Sequence, residues 1–332
     1  MRIPWRKTIR KFGIIAGWAL VCGAIAYLAH MGMFSRSVYR FTPEAWARLV
    51  LCGILFAVVT CGLAVRFCLV LAAMGGAPAW TGQVRIYFAG LLLQAFGSNF
   101  AFDAMRGLLM KKSGMGGGLI VGSILADRIL GLTAFLFFGF AGLGFLFDPE
   151  RYAPVLAVSA LAAVLLPGMI VLWWKVIASG RFPRLSSLPG ASLAASVGEA
   201  LHCLVRRPLR LFAIQTVAVA VNFLMLVCYY VAAGAIATVE LSLTECVVGG
   251  AIANLVSLLP LPVTGLGVGE SVFGNVVAGL RNEAVVGGFA SVFFLVRIVV
   301  IVVSILSWLA VSVTGMPAAG EESEADSEHC EE

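Results

Sequence analysis

Charge is what this sequence has least of. Asp, Glu, Lys and Arg together make up 12% of its 332 residues, about half the usual share for a globular protein. Hydrophobic residues make up 61%, and the mean hydropathy is +1.01. A water-soluble fold of this length has no interior large enough for that apolar surface, so the solvent must be lipid. Histidine is scarce too: His30, His202 and His329 are isolated and show no metal-ligand spacing. The cysteines (Cys22, Cys52, Cys61, Cys68, Cys203, Cys228, Cys246 and Cys330) form no Cys-x-x-Cys. Most sit inside apolar runs and read as small core hydrophobes rather than metal ligands or disulfides. There is no Ser/His/Asp set, no Asp-x-Asp and no carboxylate pair in a sizeable soluble loop. These absences argue against a stapled secreted domain, a disordered chain and a nucleic-acid partner. They leave no catalytic constellation and no cofactor motif. Function is therefore sought in the few polar groups that lipid should forbid.

What is present is length in apolar runs. Stretches 13–34, 49–74, 118–147, 154–174, 210–234 and 285–313 are long enough to cross a bilayer, since ~30 Å of hydrocarbon takes roughly 20 helical residues. The run to Phe34 is too long for a cleaved signal core, so the first helix is expected to be retained. Two further stretches are interrupted: 86–104 by Gly97-Ser98-Asn99, and 246–280 by Pro260, Pro262, Gly265, Gly267 and Gly269. Proline removes a backbone donor and clashes with the preceding turn, so a lipid-facing helix does not continue through the second. Both read as broken, re-entrant hairpins. The expected fold is all-α and polytopic, with about six full transmembrane helices plus these two hairpins.

Basic residues set the expected orientation. Placing both termini in the cytoplasm puts Arg2, Arg6, Lys7, Arg10 and Lys11 inside, with Arg85, Arg106, Lys111, Lys112 and the basic residues of the linker 175–209. Only Arg36, Arg40, Arg48, Arg151 and Arg281 then fall in outer loops, as the positive-inside rule requires. Tyr229 and Tyr230 near an outer helix end suit an interfacial belt. Within the linker, Leu193, Val197, Leu201 and Leu204 recur at helical spacing and suggest a segment lying in the interface or joining two halves. The acidic tail 319–332 reads as disordered. A cell (inner or plasma) membrane is the expected location.

With that topology a repeat emerges. Helix 49–74, hairpin 86–104 and helix 118–147 (repeat one, about 49–147) are answered in opposite orientation by helix 210–234, hairpin 246–280 and helix 285–313 (repeat two, about 210–313). Inverted repeats with broken helices meeting near the midplane are a transporter signature. The charges concentrate there. Arg297 stands alone in an uncharged run, where insertion costs ~2.5–3.5 kcal/mol. Glu270 is its expected partner, either as a structural pair or as part of a pathway. Asp103 and Arg106, three apart, can pair on a helix. Asp127 and Arg128 are adjacent and point to different sides. With Lys111 and Lys112, Asp103 and Arg106 suggest a cationic mouth on the cytoplasmic side, suited to anionic lipid head groups. Arg66 is expected to snorkel from its helix end. Gly265-Leu266-Gly267-Val268-Gly269 follows no strand, so it reads as a place of close backbone approach rather than a nucleotide loop.

These residues resemble a family. Gly97-Ser98-Asn99-Phe100-Ala101-Phe102-Asp103-Ala104-Met105-Arg106-Gly107-Leu108-Leu109 is similar to the "PGxxGxDxxRxxLL" block of the lysylphosphatidylglycerol synthase transmembrane-region, or flippase-like, family. Asp127-Arg128-Ile129-Leu130-Gly131-Leu132 resembles its "(E/D)RxxGL" block. Pro260 to Glu270 resembles its "PxxxGGLGxxE" block, and Arg297 the lone Arg of its last helix. Gly97, Ala101 and Thr264 depart from the pattern, and no soluble aminoacyl-transferase domain follows within the 332 residues. The resemblance implies lipid movement between leaflets, with Asp103, Arg106, Asp127, Arg128, Pro260, Gly265, Gly267, Glu270 and Arg297 along the path, and membrane lipids as partners. Two other readings stay open: an integral-membrane enzyme acting on a polyprenyl-linked sugar or phospholipid, and a non-catalytic scaffold for a partner lipid synthase.

Overall fold

The computed structural model describes, with short gaps, residues 22–146 and 202–314; residues 1–21, 147–197, 258–265 and 315–332 lie outside the description. The expected span 13–34 therefore falls largely outside the described residues. Span 154–174, most of the linker, and the tail fall wholly or almost wholly outside them.

Eight helices carry the rest: α1 (Pro43–Ala73), α2 (Trp80–Phe96), α3 (Asn99–Lys112), α4 (Gly117–Leu146), α5 (Pro208–Ala233), α6 (Leu243–Ser257), α7 (Val268–Arg281) and α8 (Val286–Thr314). Among the described residues the only β pairing is an isolated bridge between Tyr39 and Ile236. Four helices, α1, α4, α5 and α8, are long and apolar enough to cross a membrane. The chain is an all-α polytopic membrane protein.

Local chemistry fixes the helix ends. Pro43 opens α1, and the Thr42 hydroxyl accepts from the Ala45 amide at 3.3 Å, satisfying a donor with no intrahelical partner. α1 ends where Gly75 takes φ +85° and the Gly76 amide returns to the Leu71 carbonyl. α3 ends the same way, at Gly114 with φ +85° and Met115 bonded back to Met110. Both are glycine stops that lift the backbone off the helix. Asn282, at φ 54°, plays that part after α7.

The outer faces are apolar. Val50, Ile54 and Val58 on α1 and Val302, Leu306 and Val313 on α8 are all exposed. Such helical stripes left uncovered are surfaces for acyl chains. Inside, Phe56, Leu226, Tyr229, Phe273, Phe289 and Phe293 belong to the main core, with a second cluster of Phe67, Leu71, Tyr87, Phe102 and Met110 around α2 and α3.

The two interrupted stretches are helical hairpins, α2–α3 and α6–α7. They are longer than the apolar runs suggested: the first runs from Trp80 to Lys112 and the second from Leu243 to Arg281. α2 packs on α8, while α6 packs on both α7 and α4. Each hairpin thus leans on a spanning helix from the other part of the chain.

Candidate functional site

The hairpin tips meet. Asn99, the first residue of α3, donates from Nδ2 to the carbonyl of Ser257, the last residue of α6, at 2.9 Å. Gln94 on α2 donates to Asn99 Oδ1 at 3.1 Å. Polar atoms at the ends of two half-helices therefore satisfy one another in the middle of an apolar bundle, where unpaired groups are costly.

On one side of this seam lies a five-residue charge network. Asp103 accepts from Arg106 Nη2 at 2.6 Å and from Arg128 Nε at 2.8 Å. Arg128 also donates to the Asn99 carbonyl at 3.1 Å. Asp127 accepts from Arg66 Nε at 2.8 Å and faces Arg106 Nη1 at 3.7 Å. Asp127 and Arg128 turn to different sides of α4, as adjacent helical residues must.

Arg106 is fully buried. Its guanidinium carbon lies 4.2 Å from the Phe67 ring centre, 4.4 Å from Phe102 and 5.2 Å from Tyr87. A desolvated cation–π contact gives about 2 kcal/mol or more, which helps offset burial. Arg106 is thus a strut under three rings and not part of an open cationic mouth. Arg66 corrects the snorkelling expectation: it is 5% exposed and ion-paired to Asp127. A buried carboxylate on α4 holds it more firmly than a long climb to water would. Lys111 and Lys112 are exposed at the far end of α3, and no described contact ties them to the network.

On the other side of the seam, Glu270 is 1% exposed and meets Arg297 Nε at 2.9 Å. Its second oxygen accepts from the Gly267 amide at 2.7 Å, capping α7. Gly267 holds φ +83°, open to glycine at little cost. A Cβ on Gly269 would lie 2.8 Å from the Phe293 ring and 2.9 Å from Ser257 Oγ, so the backbone does approach closely here. Pro260 and Gly265 lie outside the described residues. Tyr229 is not interfacial: it stacks on Phe293 at 5.1 Å and accepts from Asn254 at 3.0 Å. Its neighbour Tyr230 remains exposed.

Two cavities of about 110 Å³ each flank the seam. One is lined by Tyr229, Asn254, Phe293 and Arg297; the other by Arg66, Tyr87, Asp127 and Arg128. Gln94, Asn99, Met225, Asn254 and Ser257 line both. A third cavity of about 410 Å³ lies between α3 and α4, with Asp103 and Arg128 beside Phe100, Leu125, Ile129 and Leu132. Sequence reasoning did not single out Asn254 and Ser257. Their signal was a pair of polar side chains three apart in an apolar helix. Among the described residues no cluster of His, Cys, Asp and Glu could hold a metal ion. In comparisons with known proteins, no family model, no curated protein and no solved structure matches the chain.

Proposed function

We propose that the protein moves a lipid between the leaflets of a cell membrane, passing its head group along the seam between the two hairpins while the chains stay in lipid. The carrying observation is the seam itself. Hairpin tips joined by the Asn99–Ser257 hydrogen bond are flanked by two cavities that polar and charged side chains partly line, and an apolar-walled groove is lined by Asp103 and Arg128. A head group leaving water loses hydration that is costly for any charge. Fixed guanidinium groups and amides along the seam replace it.

The order of elements supports this reading. α1, the α2–α3 hairpin and α4 are followed by α5, the α6–α7 hairpin and α8, an order that an inverted repeat would have. In this reading both termini are cytoplasmic, with the Lys111–Lys112 turn on the inner face and Arg281 on the outer. Each hairpin then dips from a different side. Asp103, Asp127 and Glu270 are all engaged by arginine, which suits binding better than the proton transfer a lipid-linked-sugar enzyme needs.

The test is transbilayer movement of a fluorescent phospholipid in vesicles containing the purified protein. Movement well above protein-free vesicles, slowed by Arg297→Ala and Glu270→Gln, is expected. Movement unchanged in both variants would remove these residues from the path.

A further inference from the structure

The charge network beside the first hairpin does not balance. Three guanidinium groups, Arg66, Arg106 and Arg128, face two carboxylates, Asp103 and Asp127. The surplus is one positive charge in a low-dielectric interior, where uncompensated charge is expensive. Its location is marked. Arg66 Nη1 and the Nε and Nη1 of Arg106 are buried without a hydrogen-bond partner, and of these two residues Arg66 is the one that lines the cavity of about 110 Å³. Arg128 lines the same cavity and keeps 26% of its side chain exposed. At ~30 Å³ per water, that space holds roughly four waters, a volume on the scale of one phosphate group. The groove of about 410 Å³ lies next to it, with Asn99, Arg128 and Leu132 lining both. The groove wall includes exposed Phe100 and Leu125, an apolar surface fit for chains.

We propose that this cavity binds one singly charged phosphate group, held by Arg66 Nη1 and Arg128, and that the phosphate belongs to a lipid whose chains lie in the adjoining groove. The anion cancels the surplus charge and gives the unmet Arg66 Nη1 donor an acceptor, a charge-assisted contact of the strong kind. The same geometry selects against zwitterionic and aminoacylated head groups. Asp103 and Asp127 are each already shared by two arginines, so a ligand ammonium finds no free carboxylate. The lipid source rests on the transport reading; the phosphate site does not.

Calorimetric titration of the purified full chain in detergent tests this, with dihexanoyl phosphatidylglycerol, dihexanoyl phosphatidylcholine and inorganic phosphate as probes. Phosphatidylglycerol is expected to bind at least tenfold more tightly than either other probe. Arg66→Lys, which keeps a cation beside Asp127 but loses Nη1, is expected to weaken phosphatidylglycerol about tenfold and leave phosphatidylcholine unchanged. Gly131→Ala is the second variant, should Arg66→Lys fold poorly. Its methyl would sit 3.6 Å from Arg66 Nη1 in ordinary contact, so the fold is kept and the site shrinks; weaker phosphatidylglycerol binding is expected again. Equal binding of the two lipids, or wild-type affinity in the folded variants, overturns the proposal. Inorganic phosphate binding as tightly as phosphatidylglycerol overturns the lipid source. Vesicle transport run in parallel separates the two ideas. Transport of phosphatidylglycerol untouched by Arg66→Lys sinks the site but not the transport reading. Arg66-dependent binding without transport of any lipid sinks the transport reading but not the site.

Discussion

Replacing Asp127 by Asn removes one negative charge and little volume from the buried network. Arg66 then loses its one carboxylate partner among the described residues, keeping a 3.4 Å contact from Nη2 to the residue 127 carbonyl. Arg106 loses a facing charge at 3.7 Å but keeps Asp103 at 2.6 Å. Leaving a buried charge without its partner typically costs ~3–5 kcal/mol. The amide oxygen still accepts a hydrogen bond, so the low end, about 3 kcal/mol, is expected. At ~2–4 °C per kcal/mol for a chain of this order, the thermal midpoint in detergent should fall by roughly 10 °C, followed by tryptophan fluorescence. The double variant Arg66→Met with Asp127→Leu removes a cation and an anion together and keeps the surplus at one positive charge. It should recover most of the loss, because apolar replacement of a buried pair is often neutral. Asp127→Asn within about 1 kcal/mol of wild type, or a double variant no better than the single one, would refute the assignment of Asp127 as the network's buried anchor.

Other expectations follow from single contacts. Gly274→Ala places a Cβ 2.7 Å from the Val286 carbonyl; backbone cannot yield as a side chain can, so α7 and α8 should separate at a cost of ~1–3 kcal/mol, seen as a lower thermal midpoint. Gly267→Ala, at φ +83°, should cost about 1–2 kcal/mol and slow lipid transport by loosening the cap that holds Glu270, with Gly267→Asn the milder change. Arg281 clasps Glu245 at 2.6 and 2.8 Å and the Glu240 carbonyl at 2.6 Å, tying the two legs of the α6–α7 hairpin together. Glu245→Gln should raise hydrogen exchange at the start of α6, and unchanged exchange would show that the clasp does not hold that end.

Much of the fold was legible because lipid imposes a length rule. The runs 118–147, 210–234 and 285–313 each become a helix with ends close to those limits, and 49–74 becomes one that starts earlier, at Pro43; the helices on either side of the interrupted stretches end at Phe96 and Ser257 and resume at Asn99 and Val268. The pairs three residues apart, Asp103 with Arg106, and the lone Arg297 with Glu270 were also readable, since lipid leaves a central Arg few alternatives. What the sequence hid was reach across the bundle. Arg66 and Asp127 lie on different helices, and no periodicity reports that an Arg in one apolar run faces an Asp in another. The burial of Arg106 was hidden for the same reason, because Phe67, Tyr87 and Phe102 come from three helices and their convergence is tertiary. The helical hairpin legs extended further than expected because apolar runs end where lipid ends, whereas backbone hydrogen bonding continues into the polar interface.

If lipid crosses along the seam, a plug placed there should stop it. Met225 lines both small cavities and has no hydrogen bond among the described contacts, so Met225→Trp should fill the seam without breaking the polar network. Vesicles carrying the folded protein and a fluorescent phosphatidylglycerol are treated with dithionite, which bleaches only outward-facing label. Wild type should expose the inner-leaflet pool faster than protein-free vesicles, and Met225→Trp should bring that rate down toward background. A plugged protein that moves lipid as fast as wild type, or a wild type no faster than bare vesicles, would contradict the account.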